Sequence, residues 1–281
     1  MFVFPLVSPR LDLGVDIPDN NAMTDALLIE RDGDIATVVF NRPDKLNAFT
    51  KAMWERLGKV ADELSQESGL RCLVFRGAGE KAFSPGNDIS EFAEDRSNSV
   101  QAEAYGELMN TAIEAIRACP LPKVAMIKGV CVGGGLEVAG LCDIRICGES
   151  SRFGAPISKL GLVMGFSELG AIRDLVGPSV AMEILLEGRI FDSQEALQKG
   201  IVSRVVPDDE VEAEAMATAR RIADGAPLVH RWHRKFLDRL ADSTPLTEEE
   251  IREAYACYDT EDFKTGYQAF LEKKKPDFKG R

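Results

Sequence analysis

The sequence predicts an α/β layered domain, a parallel sheet covered by helices, followed by a helical C-terminal region. Three observations carry this. Short apolar runs alternate with longer amphipathic ones through the first half of the chain. The short runs are almost wholly apolar, as strands buried on both faces are. After about residue 190 strand patterns nearly cease and helical spacing takes over.

Taken in order, residues 27–30 and 35–40 flank the Asp32-Gly33-Asp34 turn and read as a hairpin. Thr50 then stands where it can cap a helix over KAMWERLGKVADEL. Residues 71–75 form a short buried strand. A helix near 101–118 follows, closed by Cys119-Pro120-Leu121-Pro122. Residues 124–127 are another strand, after which Gly133, Gly134 and Gly135 run straight into an apolar helix carrying one acid, Glu137. Residues 143–147 are a further strand. Beyond them only 201–206 reads as a strand, and helices are expected at 208–224, 228–240, 247–258 and 262–275. The predicted organisation is a disordered lead over residues 1–22 ahead of Met23, an α/β core over 23–207 and a helical region over 208–281. That last region would pack on the core or against neighbouring subunits.

Composition excludes several classes. Of 281 residues 45% are hydrophobic and 28% charged, which is enough apolar material for a sizeable core. A net charge of -12 argues against nucleic acid or an anionic membrane as partner, so an anionic ligand would need a local basic patch. Cys72, Cys119, Cys131, Cys142, Cys147 and Cys257 form no CxxC pair and sit mostly in apolar runs. They read as buried, reduced thiols of a cytoplasmic protein. No apolar run reaches the roughly 18 residues of a membrane span. The first 22 residues hold one cation, Arg10, against Asp12, Asp16 and Asp19, the wrong balance for a signal or transit peptide.

Several motifs fail on spacing. Gly133, Gly135 and Val138 break the dinucleotide-binding pattern, and no phosphate-loop signature exists. Ser167 lies in GFSEL and lacks the second glycine of a nucleophile elbow. His230 and His233 are the only histidines, and HRWHRK reads as a solvated basic helix face with no accompanying carboxylate motif, so no metal site is expected. Proton transfer therefore falls to carboxylates.

The glycine triplet has a chemical reading. A glycine-rich turn entering a helix offers unpaired backbone N–H groups at the positive end of the helix dipole, a setting that stabilises a developing oxyanion. Glu137, three residues after Gly134, falls on the same helix face. KAFSPGNDISEF, residues 81–92, places Pro85-Gly86-Asn87-Asp88 in a tight turn after the strand 71–75, a second source of free amides. Alone, each stretch also fits a close-packed helix start or an ordinary loop.

Together, the stretches resemble the crotonase, or enoyl-CoA hydratase/isomerase, superfamily. The resemblance runs from roughly Ala26 to Lys279. It includes NRPDKLNAFT, KAFSPGNDISEF, GVCVGGGLEVAGLCDIRI, VGPSVAMEILLEGRIFDSQEALQKGIVSRVVP and DTEDFKTGYQAFLEKKKPDF. It implies a spiral ββα core with a helical C-terminal region, assembled as a trimer or dimer of trimers. It also implies an acyl-CoA thioester carbonyl held between two backbone N–H groups, by motif position those of Asn87 and Gly134. Lys45 and Leu46 would lie near the coenzyme A adenine, Asp88, Ile89 and Ser90 along the same channel, and Lys273 near the phosphates or adenine. No metal or redox cofactor is implied; coenzyme A is part of the substrate.

One departure matters. The family's hydratases carry a second glutamate in an F-G-x-P-E run, and here that run is Phe153-Gly154-Ala155-Pro156-Ile157. Glu137 matches the first glutamate, and isoleucine replaces the second. Glu168, near where the family lines its acyl pocket, is the candidate replacement, acting as a general acid if an apolar pocket raises its pKa. It is equally an acid suited to the first turn of a helix. Asn87 stands where alanine is usual, and its side-chain amide could touch the thioester or a polar acyl group. The expected activity is enoyl-CoA hydration or isomerisation with Glu137 transferring the proton. The alternatives are decarboxylation, retro-aldol cleavage or thioester hydrolysis on the same enolate, or a non-catalytic coenzyme A-binding homologue.

Overall fold

The computed structural model describes residues 26–281. The expected lead over residues 1–22, with Met23, lies outside the described residues. The strands are β1 (Leu27–Asp32), β2 (Ile35–Phe40), β3 (Cys72–Gly77), β4 (Ala82–Ser84), β5 (Lys123–Ile127), β6 (Val130–Val132), β7 (Ile144–Gly148), β8 (Arg152–Gly154), β9 (Phe191–Asp192) and β10 (Arg204–Val206). The helices are α1 (Lys51–Ser65), α2 (Phe92–Asp95), α3 (Ser99–Ala118), α4 (Gly134–Gly140), α5 (Phe166–Glu187), α6 (Ser193–Gln198), α7 (Val211–Ala223), α8 (Pro227–Leu240), α9 (Glu248–Glu253) and α10 (Glu261–Glu272).

A six-stranded sheet runs β1-β2-β3-β5-β7-β10, with β1 antiparallel to β2 and the other pairs parallel. A four-stranded sheet runs β4-β6-β8-β9, with only β9 antiparallel. The chain places a strand in the large sheet, then one in the small sheet, then a helix, and does so three times: β3-β4-α3, β5-β6-α4 and β7-β8-α5. This is the spiral ββα core that the resemblance implied.

The small sheet is what the periodicity does not announce. Its strands are two or three residues long, too short for a period of two to register. Two predicted elements shrink. Only 204–206 of the expected strand 201–206 pairs, because Ile201 donates its N–H to the Ala196 carbonyl (2.9 Å) and closes α6 instead. The helix expected over 247–258 stops at Glu253, and a 3₁₀ turn, Ala256–Asp259, continues it. At the turn after β4, Asp88 caps a 3₁₀ turn, Ile89–Glu91, which leads into α2.

Thr50 caps α1 as its sequence predicts, its hydroxyl accepting from the Met53 N–H. α1 and α3 bury Met53, Trp54, Leu57, Tyr105, Met109 and Ile113 against the inner faces of the sheets. On the other face of the large sheet, α7 buries Val211, Ala215, Ala219 and Ala223 against Ile35, Val74, Val124 and Ile146. This first C-terminal helix is thus one layer of the core, whereas α8 and α9 have no fully buried residue. Cys257 is partly buried and the other five cysteines are buried; all six are free thiols. No helix among the described residues is long and apolar enough to cross a membrane.

Candidate active site

β4 and β6 are parallel neighbours, so the loops leaving their C-terminal ends emerge side by side. The first turns at Gly86 (φ 96°), the second at Gly133 (φ 52°), both in the region that favours glycine. The loops touch: a Cβ on Gly86 would lie 2.7 Å from the Gly134 amide nitrogen. A Cβ on Gly135 would lie 2.1 Å from the Ser84 carbonyl oxygen. Within the triplet, Gly133 is needed for its backbone conformation and Gly135 for a close approach. Phe49 donates to the Gly86 carbonyl and accepts from the Asp88 N–H, both at 2.8 Å. The Asn87 N–H between them, and the Gly134 N–H that opens α4, donate to no described residue. Two free amides thus converge beside one cavity, which both residues line.

The floor beneath them is aromatic. Phe49 packs edge-on against Phe40 and Trp54, ring centroids 4.8 Å apart in each case. The Trp54 Nε1–H donates to Asn87 Oδ1 at 2.6 Å, and Asn87 Nδ2 faces Met109 Sδ at 3.6 Å. The Asn87 side chain is thus engaged by the scaffold, while its backbone N–H is left without a described partner.

The cavity, about 130 Å³, is also lined by Glu137, Glu168, Ile157 and Arg96. Glu137 is only 2% exposed, and its Oε2 has no hydrogen-bond partner. Burial pushes its carboxyl well above the usual range, the neighbouring Glu168 charge pushes it further, and Arg96 partly offsets both. Glu168, in the first turn of α5, accepts a hydrogen bond from the Gly165 N–H at 2.5 Å. Burial leaves its pKa above the usual carboxylate value, although that bond, Arg96 and Glu137 oppose the rise. The two carboxyls are therefore electrostatic neighbours in one cavity, and burial pushes both upward. Glu168 thus caps α5 and, with Glu137, lines the cavity. Ile157, where the family's second glutamate would stand, is an apolar part of the cavity wall.

The expected coenzyme A contacts are only partly gathered. Ile89 lines the cavity and is 55% exposed. Asp88 pairs with Arg42 at 2.9 Å and accepts from the Ser90 N–H and hydroxyl. Burial would raise its pKa, but these partners outweigh burial and hold it below the usual value. Its carboxylate shapes the loop. Ser90, Lys45 and Leu46 are exposed and do not line the cavity; Leu46 takes a left-handed conformation, φ 53°. Lys273, the exposed C-cap of α10, is not brought to this cavity within the chain. His230 is bonded to the Ile222 carbonyl, 3.1 Å away.

Two residues were invisible to sequence reasoning. Trp54 reads as an ordinary core position of α1. Arg96 lies in a polar stretch, EDRSNS, without motif or periodicity, and only folding brings it to the cavity.

Comparison with known proteins agrees with this geometry. A family profile described as enoyl-CoA hydratase/isomerase matches residues 30–281. The chain is 33% identical over 260 residues to a short-chain-enoyl-CoA hydratase of Clostridium acetobutylicum, covering 91% of this chain and 98% of that protein. It is 30% identical to a crotonyl-CoA hydratase of Syntrophomonas wolfei, covering 90% and 97%. A crystal structure of an enoyl-CoA hydratase/carnithine racemase from Magnetospirillum magneticum superimposes with a TM-score of 0.90 at 49% identity, covering 92% and 97%.

Proposed function

The chain belongs to the enoyl-CoA hydratase/isomerase family and is an acyl-CoA enzyme, and we propose that its reaction is addition of water across a 2-enoyl-CoA. The observation that carries this is the Glu137–Glu168 pair lining the same cavity as the Asn87 and Gly134 amides.

The thioester oxygen accepts from those two amides, which draws electrons toward it as charge develops; one such donor is typically worth about 2.7–4 kcal/mol. Ionised Glu168 takes a proton from water as the oxygen attacks C3. Protonated Glu137 delivers its proton to C2. The pair begins and ends with one proton, so no further acid is needed. The sequence expectation made Glu168 the acid, and burial does leave its pKa raised; the base role proposed for it rests on its bond from Gly165, which favours the charged form. The carbonyl is polarised by amides and protons move on carboxyls, so the reading requires no metal or redox cofactor.

A second reading, isomerisation of a 3-enoyl-CoA by Glu137 alone, is favoured by the apolar wall that Ile157 provides. The two are separated by incubating purified protein with crotonyl-CoA. Loss of the enoyl absorbance with appearance of 3-hydroxybutyryl-CoA supports hydration; inertness toward crotonyl-CoA with turnover of a 3-enoyl-CoA supports isomerisation.

The proposal includes assembly as a trimer or dimer of trimers. Its support is the run of exposed large apolar side chains on the C-terminal helices, among them Leu237, Leu240, Phe270 and Leu271 (63–82% exposed). In such an assembly Lys273 would reach a neighbour's coenzyme A.

A further inference from the structure

Arg96 is not used by the reaction above, and its setting is unusual. Its guanidinium carbon lies 4.8 Å from the Phe92 ring centre and 4.9 Å from that of Tyr105. Two aromatic faces thus fix the plane of the group, and Tyr105 is itself fully buried. Yet the guanidinium forms no ion pair with a described carboxylate, and its side-chain N–H groups donate to no described residue. Neighbouring cations behave differently: Lys51 pairs with Asp95 at 2.7 Å and Arg42 with Asp88 at 2.9 Å. Arg96 instead lines the cavity, with Glu137 and Glu168 attracting it from beyond ion-pair reach.

We propose that Arg96 is a specificity residue that binds a carboxylate on the acyl group, so that the preferred substrate is a thioester of a dicarboxylic acid. The inference rests on the reading that the thioester carbonyl sits at the Asn87 and Gly134 amides. The rest of the acyl group then extends into a cavity whose remaining lining, including Ile157, Leu162 and Met164, is apolar. The Arg96 guanidinium is the one charged group in that lining besides the two glutamates. Its planar fork matches a carboxylate with two parallel hydrogen bonds. A carboxylate on the acyl group would meet Arg96 directly instead of either glutamate. Rings on which the guanidinium stacks lower the entropy lost on binding, since the group is held before the ligand arrives.

The test is calorimetric titration with glutaryl-CoA and valeryl-CoA, saturated five-carbon thioesters that differ in a terminal carboxylate and cannot be hydrated. Wild type is expected to bind glutaryl-CoA about ten-fold tighter, as two charge-assisted hydrogen bonds allow. Arg96→Gln brings the two constants together, and Arg96→Lys keeps part of the preference. Equal binding, or tighter valeryl-CoA binding, by wild type overturns the assignment, as does a preference that survives in Arg96→Gln. Crotonyl-CoA hydration, assayed on the same preparations, separates the two readings. An acid preference without hydration counts against the hydratase reading alone, and hydration without an acid preference counts against Arg96 alone.

Discussion

Glu137, on the helix that the glycine triplet opens, and Glu168, in the first turn of the next α-helix, line one cavity, and burial raises the pKa of both. The pair supplies two carboxyls although Ile157 occupies the position where the family's second glutamate is expected.

Because the two act as a unit, their losses should not add. Glu137→Gln and Glu168→Gln are each expected to lower kcat for hydration by about 10²–10⁴. The double variant should be little worse than the weaker single one. Steady-state rates on crotonyl-CoA check this; losses that multiply would mean the carboxyls work separately.

Ile157 offers a gain-of-function counterpart. It lines the same cavity, so Ile157→Glu in a Glu168→Gln background should restore part of the lost rate. In the wild-type background the same change places a third carboxyl beside the pair and should lower the rate by like-charge repulsion.

Gly86→Ala should damage the amide pair without touching a carboxyl. The new Cβ would meet the Gly134 nitrogen at 2.7 Å, and φ at this residue is 96°. Displacing that donor is expected to cost about 10²–10³ in kcat. The backbone conformation should cost about 1–2 kcal/mol of stability. Thermal unfolding run alongside the kinetics separates the two effects.

The buried pair also sets a pH dependence of stability. Glu137 has a folded-state pKa raised well above 4.5, chiefly by burial. Its contribution to stability is thus fully present below about pH 4.5 and is lost as pH rises toward the folded value. Glutamine cannot ionise in either state. The unfolding temperature of Glu137→Gln minus that of wild type should therefore grow as pH rises from 4.5, and the opposite slope would contradict a buried, protonated Glu137.

Much of this was legible in the sequence, for physical reasons. The long strands and the capped helix α1 carry periodicity and a cap residue, and the glycine triplet marks a backbone that tolerates no Cβ. Turn chemistry pointed to two stretches with free amides, and the family resemblance singled out those of Asn87 and Gly134. The small sheet was not, since three-residue strands have no period. Glu168 was legible only as a choice between helix capping and catalysis. The fold shows the cap and also brings the same side chain to the cavity wall, because a carboxylate bonded to the helix start can still face a pocket. Arg96 left no local trace, since its partners Phe92 and Tyr105 acquire meaning only once α2 packs on α3.

The central claim is that the Glu137–Glu168 pair adds water to an enoyl thioester. Mass spectrometry of crotonyl-CoA incubated in heavy-oxygen water tests it most directly, with Glu137→Gln and Glu168→Gln alongside. The account predicts labelled 3-hydroxybutyryl-CoA from wild type and almost none from either variant. Full labelling by Glu168→Gln, or none by wild type that binds the thioester, would contradict it.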